Sequence, residues 1–103
     1  MVAQSFKGQM VLSAYIYAQR QEIKQRDHQI FQRHAELMER YADFVPEVYR
    51  WKLSSLNWGR RSIEELDKAF FSTLVDKCEK WRLAEMQEEV KKNDPDMYSY
   101  VAA

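Results

Sequence analysis

The sequence predicts an all-α fold: an elongated antiparallel hairpin of two long helices, at about 9–42 and 62–92, joined by a short helix at about 46–57. Three observations predict it. Apolar residues recur every three or four positions, which is helical spacing, and no stretch of five or more alternates with period two as a half-buried strand would. Glycine and proline number only two each, and Pro46, Gly59 and Pro95 fall between the periodic segments. A Ser62-Ile63-Glu64-Glu65 capping box opens the second long helix.

The first helix carries a seam of Leu12, Ile16, Gln19, Ile23, Asp27, Ile30, His34, Leu37 and Tyr41. Ile16, Ile23, Ile30, Leu37 and Phe44 stand seven apart, a coiled-coil-like repeat. Its waist is polar, since Ile23 is the single aliphatic residue between Gln19 and Gln29. Asp43 is suited to cap the short helix and Pro46 to its first turn, where a missing N–H costs little. Gly59 is suited to the left-handed conformation that closes it. The apolar residues of this short helix cover roughly 220° of its wheel, far more than the single stripe of an ordinary surface helix. The third helix concentrates apolar residues in its first half (Ile63, Leu66, Phe70, Phe71, Leu74, Val75, Cys78, Trp81) and acid in its second (Glu85, Glu88, Glu89). Pro95 stops it. The 103 residues read as one helical domain with flexible ends at about 1–8 and 94–103.

Charge favours the hairpin. Lys and Arg balance Asp and Glu at 16 each, but residues 1–61 are basic in excess and residues 62–103 acidic. Pairing Phe44 with Ile63 lays the basic waist (Arg20, Lys24, Arg26) along the acidic end of the third helix. The same pairing sets Val11, Leu12, Tyr15 and Ile16 against Val90 and the tail residues Met97, Tyr98, Tyr100 and Val101. Zero net charge also weakens a general case for nucleic acid, which calls for a basic domain.

Chemistry finds little footing. His28 and His34 lack the Glu-x-x-His spacing of a di-iron bundle, and Cys78 has no second thiol for a metal or a disulfide. Cys78 sits in an apolar helical context and reads as core filler, His34 as hydrogen-bonded or partly exposed. No glycine-rich phosphate loop is present. The expectation is therefore a chain with no catalytic residues, metal or cofactor.

A helix-turn-helix around Gly59 would place Ile63-Glu64-Glu65-Leu66-Asp67 at the base edges, where acid is repelled. Basic and aromatic residues at 49–61 still offer an alternative nucleic-acid surface. The favoured expectation is a protein-binding module: a small subunit, adaptor, assembly factor or inhibitor whose partner is another protein or a second copy, which would complete a four-helix bundle. Its contact residues are expected to be Tyr49, Trp51, Leu53, Leu56 and Trp58, rimmed by Arg50, Arg60 and Arg61, since Trp, Tyr and Arg dominate binding hot spots. No stretch reaches the ~20 apolar residues of a membrane span. Lys7 and the run Met10–Ala18 have the layout of a short leader, but Tyr15 and Tyr17 suit it poorly and fit a helical face. The lone cysteine suits a reducing, cytoplasmic setting.

Overall fold

The computed structural model describes residues 2–102, with side chains described for 13–101. Five α-helices appear among them, with no strand. Helix α1 spans Val2–Tyr41, α2 Arg50–Ser54, α3 Ile63–Lys77, α4 Leu83–Asn93 and α5 Pro95–Ala102, with 3₁₀ turns at Ala42–Phe44, Glu47–Tyr49 and Lys80–Arg82. The all-α class holds, with two long helices, α1 and α3, joined by short segments. The particle is elongated, at 72 × 29 × 17 Å.

Local chemistry explains the boundaries. The Ser62 hydroxyl accepts from the Glu65 N–H at 3.1 Å, half of the expected capping box. The Glu65 carboxylate instead accepts from the Arg61 N–H at 3.2 Å, one residue further back. Gly59 has φ +73°, the left-handed region that a side chain would strain. Pro46 precedes its 3₁₀ turn instead of entering a helix, and Asp43 caps no helix. The 46–57 helix is thereby reduced to the five residues of α2.

The alignment of the helices differs from the expected hairpin. Arg33 meets Asp67 and the Phe44 carbonyl accepts from the Glu79 N–H at 3.0 Å. Phe44 therefore does not sit opposite Ile63; the base of α1 and α3 run side by side in the same direction. Residues 45–62 carry the chain back along α1, with the Leu53 carbonyl 2.8 Å from His34 Nε2. The chain turns back after α3 through α4, and α5 packs most closely against α3. The expected continuous helix over 62–92 breaks at Cys78, whose backbone is extended (φ −58°, ψ 144°), and α4 returns to bring Asp94 to Arg33.

Packing is the physical reason. The break lets Met86, Val90 and Met97 join Leu37, Tyr41, Phe44, Val45, Leu53, Phe70, Phe71 and Leu74 in one core. A straight 62–92 helix of roughly 45 Å would carry Val90 away from it. The tail expected to be loose is α5, with Met97 fully buried and Tyr98 packed 6.0 Å from the Phe71 ring. Residues 2–8, expected as a flexible lead-in, are helical backbone of α1. The expected partners Val11 and Leu12 lie outside the described side chains. Tyr15 and Ile16 are exposed, so the tail packs on α3 and does not cover these two residues.

Above Ile30, α1 leaves the body. Every described side chain from 13 to 29 is exposed. The expected pairing of Arg20, Lys24 and Arg26 with the third helix's acidic end is therefore absent: Arg26 pairs with its neighbour Asp27 at 3.6 Å, and Glu85 is held by Arg82. The returning α4 keeps its acidic residues beside the body and out of reach of this arm.

Candidate functional site

Three features could carry function: a buried ionic cluster, an aromatic surface on the 45–62 segment, and a cleft where the arm meets the body. The cluster joins three elements. Arg33 grips Asp67 with two hydrogen bonds of 3.0 Å and reaches Asp94 at 2.8 Å. Arg40 reaches the same Asp94 oxygen at 2.8 Å, and the Tyr41 hydroxyl donates to the other oxygen. Burial alone would push the Asp94 carboxyl up, but the Tyr41 hydroxyl and the two guanidiniums outweigh it and hold it below the ordinary carboxylate range. Burial and then the Asp94 hydrogen bond push Tyr41 up. Burial pulls Arg33 down, while Asp67 and Asp94 more than reverse this. These groups satisfy one another, so the cluster reads as a clamp holding α1, α3 and the α4–α5 corner together.

The aromatic surface contains most of the residues singled out in the sequence. Trp51 is 62% exposed and Trp58 78%, and Tyr49 is also exposed. Arg50 is half-buried, donating to the Val45 carbonyl at 3.1 Å and standing 3.8 Å from Asp43. Leu53 is 0% exposed and belongs to the core, and Leu56 packs against that core from the side. These two hold the segment down and leave the tryptophans outside. Two lysines complete the surface: Lys52, which belongs to the basic and aromatic segment 49–61, and Lys77, which sequence reasoning missed. Lys52 Nζ lies 5.9 Å from the Tyr49 ring centre and 5.6 Å from that of Trp51, and Lys77 lies 5.0 Å from Tyr49. Such contacts set cations beside rings that remain exposed.

The cleft, about 450 Å³, lies between α1 and the turn after α2. Ile30 and Phe31 come from α1; Asn57, Trp58 and Gly59 from the turn; Arg26, Arg60 and Arg61 supply cations and Asp27 one carboxylate. Arg60 Nε donates to the Leu56 carbonyl at 2.7 Å, which sets its direction. Asn57 Oδ1 is enclosed with no donor among the described residues. Thus Trp58, Arg60 and Arg61 come together with α1 residues, while Tyr49 and Trp51 form the separate lysine-flanked surface. Phe31 carried a legible signal: an aromatic lying about 100° off the seam on a helical wheel.

Trp81, placed with the core residues of the third helix by its sequence context, is 81% exposed. It rides on the 3₁₀ turn created by the break, with Arg82 Cζ 5.7 Å from its ring and 4.2 Å from that of Phe44. Cys78 is a buried free thiol, pushed up chiefly by burial and so further from the reactive thiolate. His34 is buried, hydrogen-bonded to Leu53 and edge-on to Phe70. Among the described residues, no group of three or more His, Cys, Asp or Glu could hold a metal, and no helix is long and apolar enough to cross a membrane. Comparison with family models, curated proteins and solved structures finds no match.

Proposed function

We propose that this chain is a non-catalytic protein-interaction module, acting as a small subunit, adaptor, assembly factor or inhibitor of a larger assembly. The observation that carries this reading is the seam of α1. At its base Ile30 and Leu37 are buried; further along the same stripe Ile16 and Ile23 stand uncovered. A helix that keeps its apolar stripe beyond its own core has the form of a half-built helix pair. The exposed Trp51 and Trp58, backed by well-buried neighbours, support the same reading, since large rigid side chains of this kind dominate binding energies. The titratable cluster is internally satisfied, which supports a structural role for it. The acidic Glu64 and Glu65 beside Arg60 and Arg61 weigh against the nucleic-acid alternative.

Affinity capture from the native host with the wild-type chain and with a Trp51→Ala/Trp58→Ala variant tests the reading. Wild type is expected to retain defined proteins, or a second copy of itself, that the variant loses by at least tenfold while its circular dichroism is unchanged. If the same set is retained by both, or if wild type is a lone monomer retaining nothing, the proposal falls.

A further inference from the structure

Building on the protein-binding reading, we infer that the exposed arm of α1 and the cleft at its root form one continuous track for an acidic amphipathic helix of another protein. The track begins with geometry. Ile16, Ile23 and Ile30 are seven residues apart, so they drift by only about 20° per step and form one stripe. The first two are exposed and the third is the buried floor of the cleft. From Ile16 to Ile30 the stripe is about 21 Å long at 1.5 Å per residue. An apolar side chain entering the cleft would lie between Phe31 and Trp58. The 450 Å³ available falls in the usual range of sites that enclose a ligand group, about 300–1,000 Å³.

Charge selects the occupant. On a helical wheel Arg20, Arg26 and Asp27 lie within about 60° of the stripe, while Glu22 and Lys24 lie further out and offset each other. Arg60 and Arg61 add two more cations at the cleft. Arg26 is paired with Asp27, but Arg20, Arg60 and Arg61 make no ion pair among the described residues. This favours a partner helix bearing Asp and Glu beside its apolar stripe, because a guanidinium grips a carboxylate with two parallel hydrogen bonds. A second copy laid arm to arm would oppose arginine to arginine.

Selection of a displayed library of random 16-residue peptides on the intact chain tests this directly. The expected winners carry apolar residues at i, i+3 or i+4, and i+7, with net negative charge. Synthesised, they should bind with salt-sensitive affinity and shift tryptophan fluorescence to the blue. Affinity should fall at least tenfold in Ile23→Asp and in Arg60→Glu/Arg61→Glu, with Arg61→Glu alone as the milder variant, and should be unchanged in Trp81→Ala. The inference is overturned if no peptide is selected or the winners are neutral or basic. It is also overturned if acidic winners bind the arginine variants as tightly, if a 15-nucleotide oligo(dT) competes with them, or if wild type self-associates through Ile23. A cellular partner lost in Trp51→Ala/Trp58→Ala but kept in Ile23→Asp and Arg61→Glu would leave the interaction reading standing and remove the track.

Discussion

Asp94 shows how much a single residue can organise here. It stands at the corner between α4 and α5 and collects hydrogen bonds from Arg33, Arg40 and Tyr41, all on α1. Removing one partner of a buried ion pair leaves the other charge without compensation, which typically costs about 3–5 kcal/mol. Asp94→Ala is therefore expected to lose a large share of a small domain's stability, as measured by urea denaturation. The sign of its pH dependence follows from the lowered carboxyl. In the unfolded chain Asp94 takes up a proton near the ordinary value of 3.8, while in the folded chain it resists until lower pH. Its contribution is whole above that value and is lost as pH falls through the folded-state value. The melting temperature of wild type should drop steeply in acid, and Asp94→Asn should flatten that slope while lowering the plateau; an unchanged slope would refute the assignment. None of this was legible in the sequence. Asp67 reads locally as a helix-dipole residue and Asp94 as a residue before a proline. Their partner Arg33 is 34 and 61 positions away, and nothing local encodes such separations.

At the scale of elements, the parts that were legible are those whose causes lie within a few residues. The Ser62 cap, the left-handed Gly59 and the α1 seam are local consequences of residue type and spacing. The tryptophan surface was legible for a related reason: the wheel of the short segment shows more apolar perimeter than one neighbour covers. The break at Cys78 has no such mark, because Cys78-Glu79-Lys80 contains neither proline nor glycine. It is imposed by tertiary contacts from the turn after α1. Phe44 accepts the Glu79 N–H through its carbonyl, its ring lies beneath Arg82, and Arg82 also donates to the Asp43 carbonyl at 3.2 Å. Phe44→Ala should cost about 3–5 kcal/mol, as deletion of a buried aromatic typically does. The loss should be accompanied by faster amide exchange at 78–83 than in the rest of α3 and α4. Equal exchange across both helices would mean that the break does not depend on Phe44.

The whole molecule divides α1 between two roles, and the balanced charge acquires a different meaning. The acidic α4 does not neutralise the basic arm by lying along it; it returns to the body and leaves the arm's cations exposed. A compact domain of 100 residues has a radius of gyration near 13 Å, whereas this chain has 19.7 Å. The difference comes from the stretch of α1 whose described side chains, 13–29, are all exposed. Solution scattering of the isolated chain at low concentration should return a value close to the larger figure; a value near 13–14 Å would mean that the arm folds back and covers its own seam. Because no described side chain between 13 and 29 is buried, stability and binding should separate. A chain beginning at Asp27 keeps Ile30, Arg33, His34, Leu37 and Tyr41 and with them the core and the clamp. Its urea midpoint should stay within the equivalent of about 0.5 kcal/mol of wild type, the scale of surface changes that remove no core contact. Its affinity for the selected acidic peptides should collapse, since only the cleft end of the track survives. A truncated chain that unfolds would instead show that the arm supports the body, and the division of α1 into a structural base and a recruiting arm would be wrong.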